Sequence, residues 1–150
     1  MNVNLEVVSI PVSDVDKALE FYHDRLGWRL DLDISGGDDF RIVQVTPTGA
    51  GHTSIVFGRG IPMATPGSMR HLELVTSDIV ATRQELVDRG IEVTEVYHGP
   101  ASVFFPKARV PGPDPDGASY ASFASFGDPD GNGWTLQEIT TRLPGREPGQ

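Results

Sequence analysis

Phe126-Gly127-Asp128-Pro129-Asp130-Gly131-Asn132-Gly133-Trp134-Thr135-Leu136-Gln137-Glu138 is the stretch from which the fold is read. An apolar, aromatic run from Ser119 to Phe126 enters it, and a second alternating run from Trp134 to Thr140 leaves it. Between them stand Asp, Pro, Gly and Asn, the residues of a chain reversal, so the segment reads as a β-hairpin. Asp128-Pro129-Asp130-Gly131 suits a type I turn in which proline supplies the fixed φ, and Gly131 and Asn132 tolerate positive φ.

Working back from the hairpin, a pattern occurs twice. Leu5–Val12 is an alternating, β-branched strand ending at Pro11, and Ser13 with Asp16 reads as the capped start of a helix over Asp14–Leu26 that Gly27 stops. Strands follow over 28–34, 40–46 and 52–57, separated by Ser35-Gly36-Gly37-Asp38-Asp39 and Thr48-Gly49-Ala50-Gly51. After a Gly- and Pro-rich stretch, 58–68, the order restarts: a strand over 70–76, Ser77 as cap, a helix over 78–89 with Ile79, Leu86 and Val87 inward, Gly90, and a strand over 91–97. Laying Ser13-Asp14-Val15 on Ser77-Asp78-Ile79 also aligns Asp24-Arg25 with Asp88-Arg89. A long period present only twice is a duplicated supersecondary unit and not a solenoid. The copies part company over 98–118, where Pro100, Pro106, Pro111, Pro113 and Pro115 leave little room for regular structure. Phe104 and Phe105 sit in that loop, either closing over a cavity or filling a small core beneath it.

Bulk properties narrow the class. A chain of 150 residues, 38% of them apolar, supports one domain with a full core. A net charge of -9 without a basic cluster argues against nucleic acid and anionic membrane as partners. The absence of cysteine excludes disulfides, thiolate nucleophiles and zinc–thiolate sites. No basic leader with an apolar run, and no segment of bilayer length, stands in the sequence, so a cytoplasmic protein is expected.

The twofold βαβββ pattern, the opening Val8-Ser9-Ile10-Pro11-Val12-Ser13-Asp14-Val15-Asp16-Lys17-Ala18-Leu19-Glu20-Phe21-Tyr22 and the closing Phe126-Gly127-Asp128-Pro129-Asp130-Gly131-Asn132 resemble the vicinal oxygen chelate superfamily. Glyoxalase I, bleomycin-resistance proteins, fosfomycin-resistance enzymes, methylmalonyl-CoA epimerase and extradiol dioxygenases belong to it. The resemblance implies an α+β fold, two tandem βαβββ modules whose curved mixed sheet surrounds a cavity with helices outside, often as a homodimer. Module 1 is expected over about 3–58, a linker over about 59–69, module 2 over about 70–141 and a loose tail over 142–150.

For members that do metal chemistry, the resemblance implies a His on the first strand of each module and a Glu on the last strand of each. His71, six residues before Ser77, matches one place; Val7 stands at the equivalent position before Ser13, Thr135 replaces the last carboxylate, and the fourth place falls near Ser54–Val56. No cofactor is therefore expected. Residues two apart in a strand share a face, so Glu73 joins His71 and Gln137 joins Thr135, and His71, Glu73 and Gln137 form the fallback site for a divalent metal. The same pair, Glu73 as base and His71 as partner, could carry acid–base catalysis; alternatively they wall the pocket or form a rim contact. His23 reads as a solvated helix residue, while His52 and His98 reach either a rim or water.

Two readings follow. In the first, the chain binds a small, partly aromatic or apolar molecule, with Val7, Ser9, Val56, Phe104, Phe105, Tyr120, Thr135 and Gln137 lining the cavity, and Trp28, Phe57, Tyr97 and Phe123 adding aromatic surface. In the second, it is a lyase, isomerase or dioxygenase-like enzyme using His71, Glu73 and Gln137, with or without a metal.

Overall fold

The computed structural model describes residues 1–147; the last residues of the expected tail, 148–150, lie outside the described residues. The chain has the α+β class read from its sequence, with two βαβββ modules in tandem. Contacts divide it into two compact units. The first joins Met1–Arg70 to Gly127–Gly133, and the second joins His71–Phe126 to the chain from Trp134 onward. Among the described residues no helix is long and apolar enough to cross a membrane.

In the first unit, β1 (Val7–Ser9) is followed by α1 (Val15–Leu19), which opens into a π-helical turn, Glu20–Arg25. Then come β2 (Arg29–Ser35), β3 (Arg41–Thr46) and β4 (Ser54–Arg59), giving the sheet order β1-β4-β3-β2 with β1 parallel to β4. The helix caps one residue later than the sequence suggests. Asp14 carries the cap, its carboxylate accepting from the Lys17 amide at 3.1 Å, while the Ser13 amide and hydroxyl donate to Asp130 at 3.1 and 2.5 Å. A distant turn thus takes the residue that local chemistry offered to the helix. The widened turn, marked by the Leu26 amide on Phe21 O at 2.9 Å, turns the consecutive Phe21 and Tyr22 both inward. Tyr22 is fully buried, with Trp28 at 5.3 Å and Phe57 at 5.7 Å between ring centroids. Trp28 and Phe57 are therefore core residues on the helix side, not cavity aromatics. His23 is tied rather than solvated, through Nδ1 and the Trp28 carbonyl at 2.7 Å.

The Gly127–Gly133 turn closes the first unit. The Gly131 amide donates to Asp128 O at 3.0 Å, the expected four-residue reversal, and Gly131 takes φ +88°. Asp128 is 7% exposed and its carboxylate is saturated: Oδ1 accepts from the Asp130 amide at 3.0 Å and the Asn132 amide at 2.8 Å. Oδ2 accepts from the Tyr22 hydroxyl and Asn132 Nδ2, both at 2.8 Å. Asn132, fully buried, also donates to Pro11 O at 2.8 Å and accepts from the Met69 amide at 3.1 Å. Its side chain pins two separate segments to the turn.

In the second unit, β5 (Leu72–Thr76) leads to α2 (Ile79–Asp88), capped by Asp78 through the Ala81 amide at 2.9 Å; again the Asp and not the preceding Ser is the cap. The sheet continues with β6 (Tyr97–His98), β7 (Val110–Pro111), β8 (Ser122–Gly127) and β9 (Gly133–Glu138), ordered β5-β9-β8-β6-β7 with β5 parallel to β9. Proline is accommodated in β7 because that strand lies at the edge. The strand expected over 91–97 is reduced to its end. Arg83 from α2 donates to the Thr94 carbonyl at 2.9 Å, and Thr94 Oγ1 rather than a carbonyl accepts from the Ser125 amide at 3.0 Å. With side chains occupying those groups, a single bridge among the described residues, Val93 to Phe126, survives upstream of Tyr97. Ile79, Val96, Ala124 and Leu136 form the core under α2, with Leu74, Leu86 and Val93 packed on it. Val87, expected inward, is 37% exposed. Gly27 and Gly90, the expected helix stops, take φ +74° and +77°.

Candidate functional site: the far face of the second sheet

The α2 core fixes which face each strand residue takes. Leu74, Ala124, Leu136 and Val96 point toward α2, so alternation sends their neighbours to the opposite face. That far face carries His71 just before β5, Glu73 and Val75 along it, Thr135 and Gln137 on β9, Phe123 and Ser125 on β8, and Tyr97 on β6. Registers agree: Glu73 lies beside Thr135, Val75 beside Gln137 and Tyr97 beside Phe123.

His71 Nε2 lies 3.6 Å from Glu73 Oε1, with the side chains 34% and 40% exposed. The pair is a loose contact within reach of water. Thr135 is 5% exposed. Gln137 is committed elsewhere, its Nε2 donating to Tyr120 O at 3.1 Å. Among the described residues no three His, Cys, Asp or Glu side chains gather as an ion would require.

The 98–118 loop, which includes a 3₁₀ turn at Pro106–Ala108, crosses this face. At one end the Phe104 ring lies 4.8 Å from that of His71; at the other, the Arg109 guanidinium stacks over Tyr97 with its carbon 4.1 Å from the ring centroid. Phe104 and Phe105 are each 63% exposed, so they fill no core beneath the loop. At its base, a cavity of about 400 Å³ is lined by His98, Ala101, Asp114, Tyr120 and Phe123. Ala101 (φ +56°) and Tyr120 (φ +69°) are the non-glycine residues with positive φ among those described, and both line it. Such strain persists only when the surroundings over-determine it. Tyr120 is held by its amide on Glu138 O at 2.9 Å, its carbonyl under Gln137, and its hydroxyl, which accepts from the Leu143 amide at 3.1 Å. His98 is oriented by Nδ1 against Gly112 O at 2.7 Å, leaving Nε2 turned elsewhere.

Val7, Ser9 and Val56 fall in the first unit, on its sheet face away from α1. Val7 lies beside Ser54 and Ser9 beside Val56. On that face the Thr46 hydroxyl meets the Ser54 hydroxyl at 2.6 Å and donates to Asp31. Burial pushes Asp31 up, but hydrogen bonds from Thr46, Arg29 and Gln44 outweigh it and hold the carboxyl below its ordinary value. His52 is exposed. Arg109 is the residue that strand periodicity could not flag, because its place depends on where an irregular loop lands.

Against this geometry, the family model of the Glyoxalase/Bleomycin resistance protein/Dioxygenase superfamily matches residues 4–136. The chain belongs to that superfamily. Among solved structures it is similar to TnmS3, an antibiotic-binding protein from Streptomyces sp. CB03234, with 32% identity over 92% of this chain and 97% of that one, and a TM-score of 0.68. A glyoxalase/bleomycin resistance protein from the same Streptomyces is also 32% identical, over 90% of this chain and all (100%) of the other, with a TM-score of 0.65. A superfamily member from Sphaerobacter thermophilus DSM 20745 is 25% identical over 91% and 98%, with a TM-score of 0.63. Among curated proteins no sequence matches this one.

Proposed function

We propose that this superfamily member binds a small, planar, partly aromatic molecule on the far face of the second sheet, beneath the 98–118 loop, and holds it without chemistry. The carrying observation is the pair Phe104 and Phe105, each 63% exposed, with the Phe104 ring beside that of His71. Burying a phenylalanine contributes roughly 1.5–3 kcal/mol, which this pair largely forgoes until something covers it. The similarity to an antibiotic-binding protein supports the same reading. So does the donor set. Val7 and Thr135 offer no carboxylate or imidazole, Gln137 is engaged with Tyr120, and His71 and Glu73 make only a pair, so these residues do not fit a divalent ion. A cytoplasmic homodimer goes with this reading and would elute at twice 16.2 kDa.

A second reading has one observation of its own, the His71–Glu73 approach at 3.6 Å, which would serve a lyase, isomerase or dioxygenase-like enzyme. Calorimetric titration with a panel of planar aromatics, antibiotics among them, tests the first. We expect binding that weakens at least about tenfold in Phe104→Ala/Phe105→Ala, with every ligand recovered unchanged. If no panel member binds, the binder reading fails; if a ligand is consumed and Glu73→Gln stops it, the enzyme reading replaces it.

A further inference from the structure

We propose that Arg109 recognises an anionic oxygen of the ligand, which makes the ligand a planar aromatic carboxylate. This rests on the binding site proposed above and specifies its chemistry. In a chain with 21 Asp and Glu against 12 Lys and Arg, a half-buried arginine would ordinarily find a carboxylate. Arg41 and Arg83, likewise half-buried, do. Arg109 does not. Its Nε donates to Ser102 O at 3.3 Å and its guanidinium carbon sits 4.1 Å from the Tyr97 ring centroid, and among the described residues its Nη atoms have no partner.

The platform beneath it is rigid. The Tyr97 hydroxyl meets Ser125 Oγ at 2.7 Å, and its ring stacks on Phe123 at 5.7 Å and 27°. Stacking on an aromatic face and presenting a planar fork are the two properties that distinguish arginine from lysine as a receptor for carboxylates. The loop that positions Arg109 over β6 also brings Phe104 to His71, just before β5. One loop thereby supplies an apolar cover at one end of the face and a cation at the other, which matches a flat ring bearing an acid. The segment also leaves something unfinished: the Ser102 hydroxyl, beside the carbonyl that anchors Arg109, is buried without a hydrogen-bond partner.

The test compares 2-naphthoate with 2-naphthamide, which share ring and shape and differ in charge, by calorimetric titration of the intact protein. The acid should bind at least about tenfold tighter than the amide. Arg109→Gln should erase that preference while leaving the amide within about threefold, and Arg109→Lys should keep part of it. Thermal melting of each variant confirms that it folds, and the lysine variant keeps a cation in place should glutamine disturb the stack. Equal binding of acid and amide by the native protein, or a preference that survives Arg109→Gln, overturns this inference and leaves the binding site standing. Failure of both probes alongside the wider aromatic panel removes the site itself.

Discussion

Replacing Asp128 with alanine should cost the protein about 3–4 kcal/mol, a figure that follows from which donors it strands. Four groups lose an acceptor: the Asp130 and Asn132 amides, the Tyr22 hydroxyl and Asn132 Nδ2. The Asp130 amide lies near the surface and can turn to water, and Asn132 Nδ2 keeps Pro11 O. The Tyr22 hydroxyl and the Asn132 amide cannot, because both residues are fully buried, and each stranded donor costs about 1–3 kcal/mol. Relief from burying a carboxylate offsets part of the sum. At roughly 2–4 °C per kcal/mol for a chain of this size, melting should fall by about 10 °C. Tyr22→Phe removes one donor and leaves the carboxylate three, so it should cost only about 1 kcal/mol. The double variant should be scarcely worse than Asp128→Ala alone, since the hydroxyl has already lost its acceptor. Urea unfolding followed by tryptophan fluorescence measures all three. A loss below about 1 kcal/mol for Asp128→Ala, or equal losses for the two single variants, would show that the turn is not held through this carboxylate.

Acid should act through Arg41, whose guanidinium takes Asp33 in a two-point contact at 2.8 and 2.9 Å and Asp16 at 2.6 Å. Hydrogen bonding from Arg41 holds Asp33 below its ordinary 3.8 against the opposing effect of burial. The unfolded chain therefore takes up the proton first, and the contribution is complete above that value and lost as pH falls through the lower folded one. Melting temperature should drop below about pH 4, and Arg41→Gln should flatten that part of the profile. Gly58→Ala places a Cβ 2.1 Å from Arg41 O and should destabilise by more than about 3 kcal/mol, by forcing β3 and β4 apart. Gly112→Ala meets nothing within 4 Å at φ +90° and should cost about 1–2 kcal/mol from backbone torsion alone; equal losses in urea unfolding would refute the steric argument.

What could be read in advance was local. Asp128-Pro129-Asp130-Gly131 announces its turn because the turn is built from those side chains, and Gly27 and Gly90 announce helix stops because L-residues strain at their φ. The face shared by His71, Glu73, Thr135 and Gln137 was legible too, since it follows from period two. What escaped depends on distant partners. Ser13 cannot be recognised as Asp130's donor from its own neighbourhood, nor Arg83 as the residue that interrupts a strand at Thr94. Trp28 and Phe57 alternate correctly, but alternation does not say which face the core claims, and Tyr22 decides it.

The duplicated pattern also explains why ligand binding should gather in one copy. In the first unit, polar groups on the sheet face away from the helix satisfy one another: Thr46 bonds both Ser54 and Asp31, and Asp31 also takes Arg29 at 2.7 Å. A saturated network has little left for a ligand, and disturbing it would strand buried hydroxyls. On the corresponding face of the second unit the groups are left under-used. His71 and Glu73 meet loosely at 3.6 Å, Arg109 keeps its outer donors, and two phenylalanines stand in water. The difference traces to the long 98–118 connection, which brings an aromatic and a cation across that face. Shortening it to a tight turn should therefore abolish binding while sparing the α2 core of Ile79, Val96, Ala124 and Leu136, which the loop does not supply.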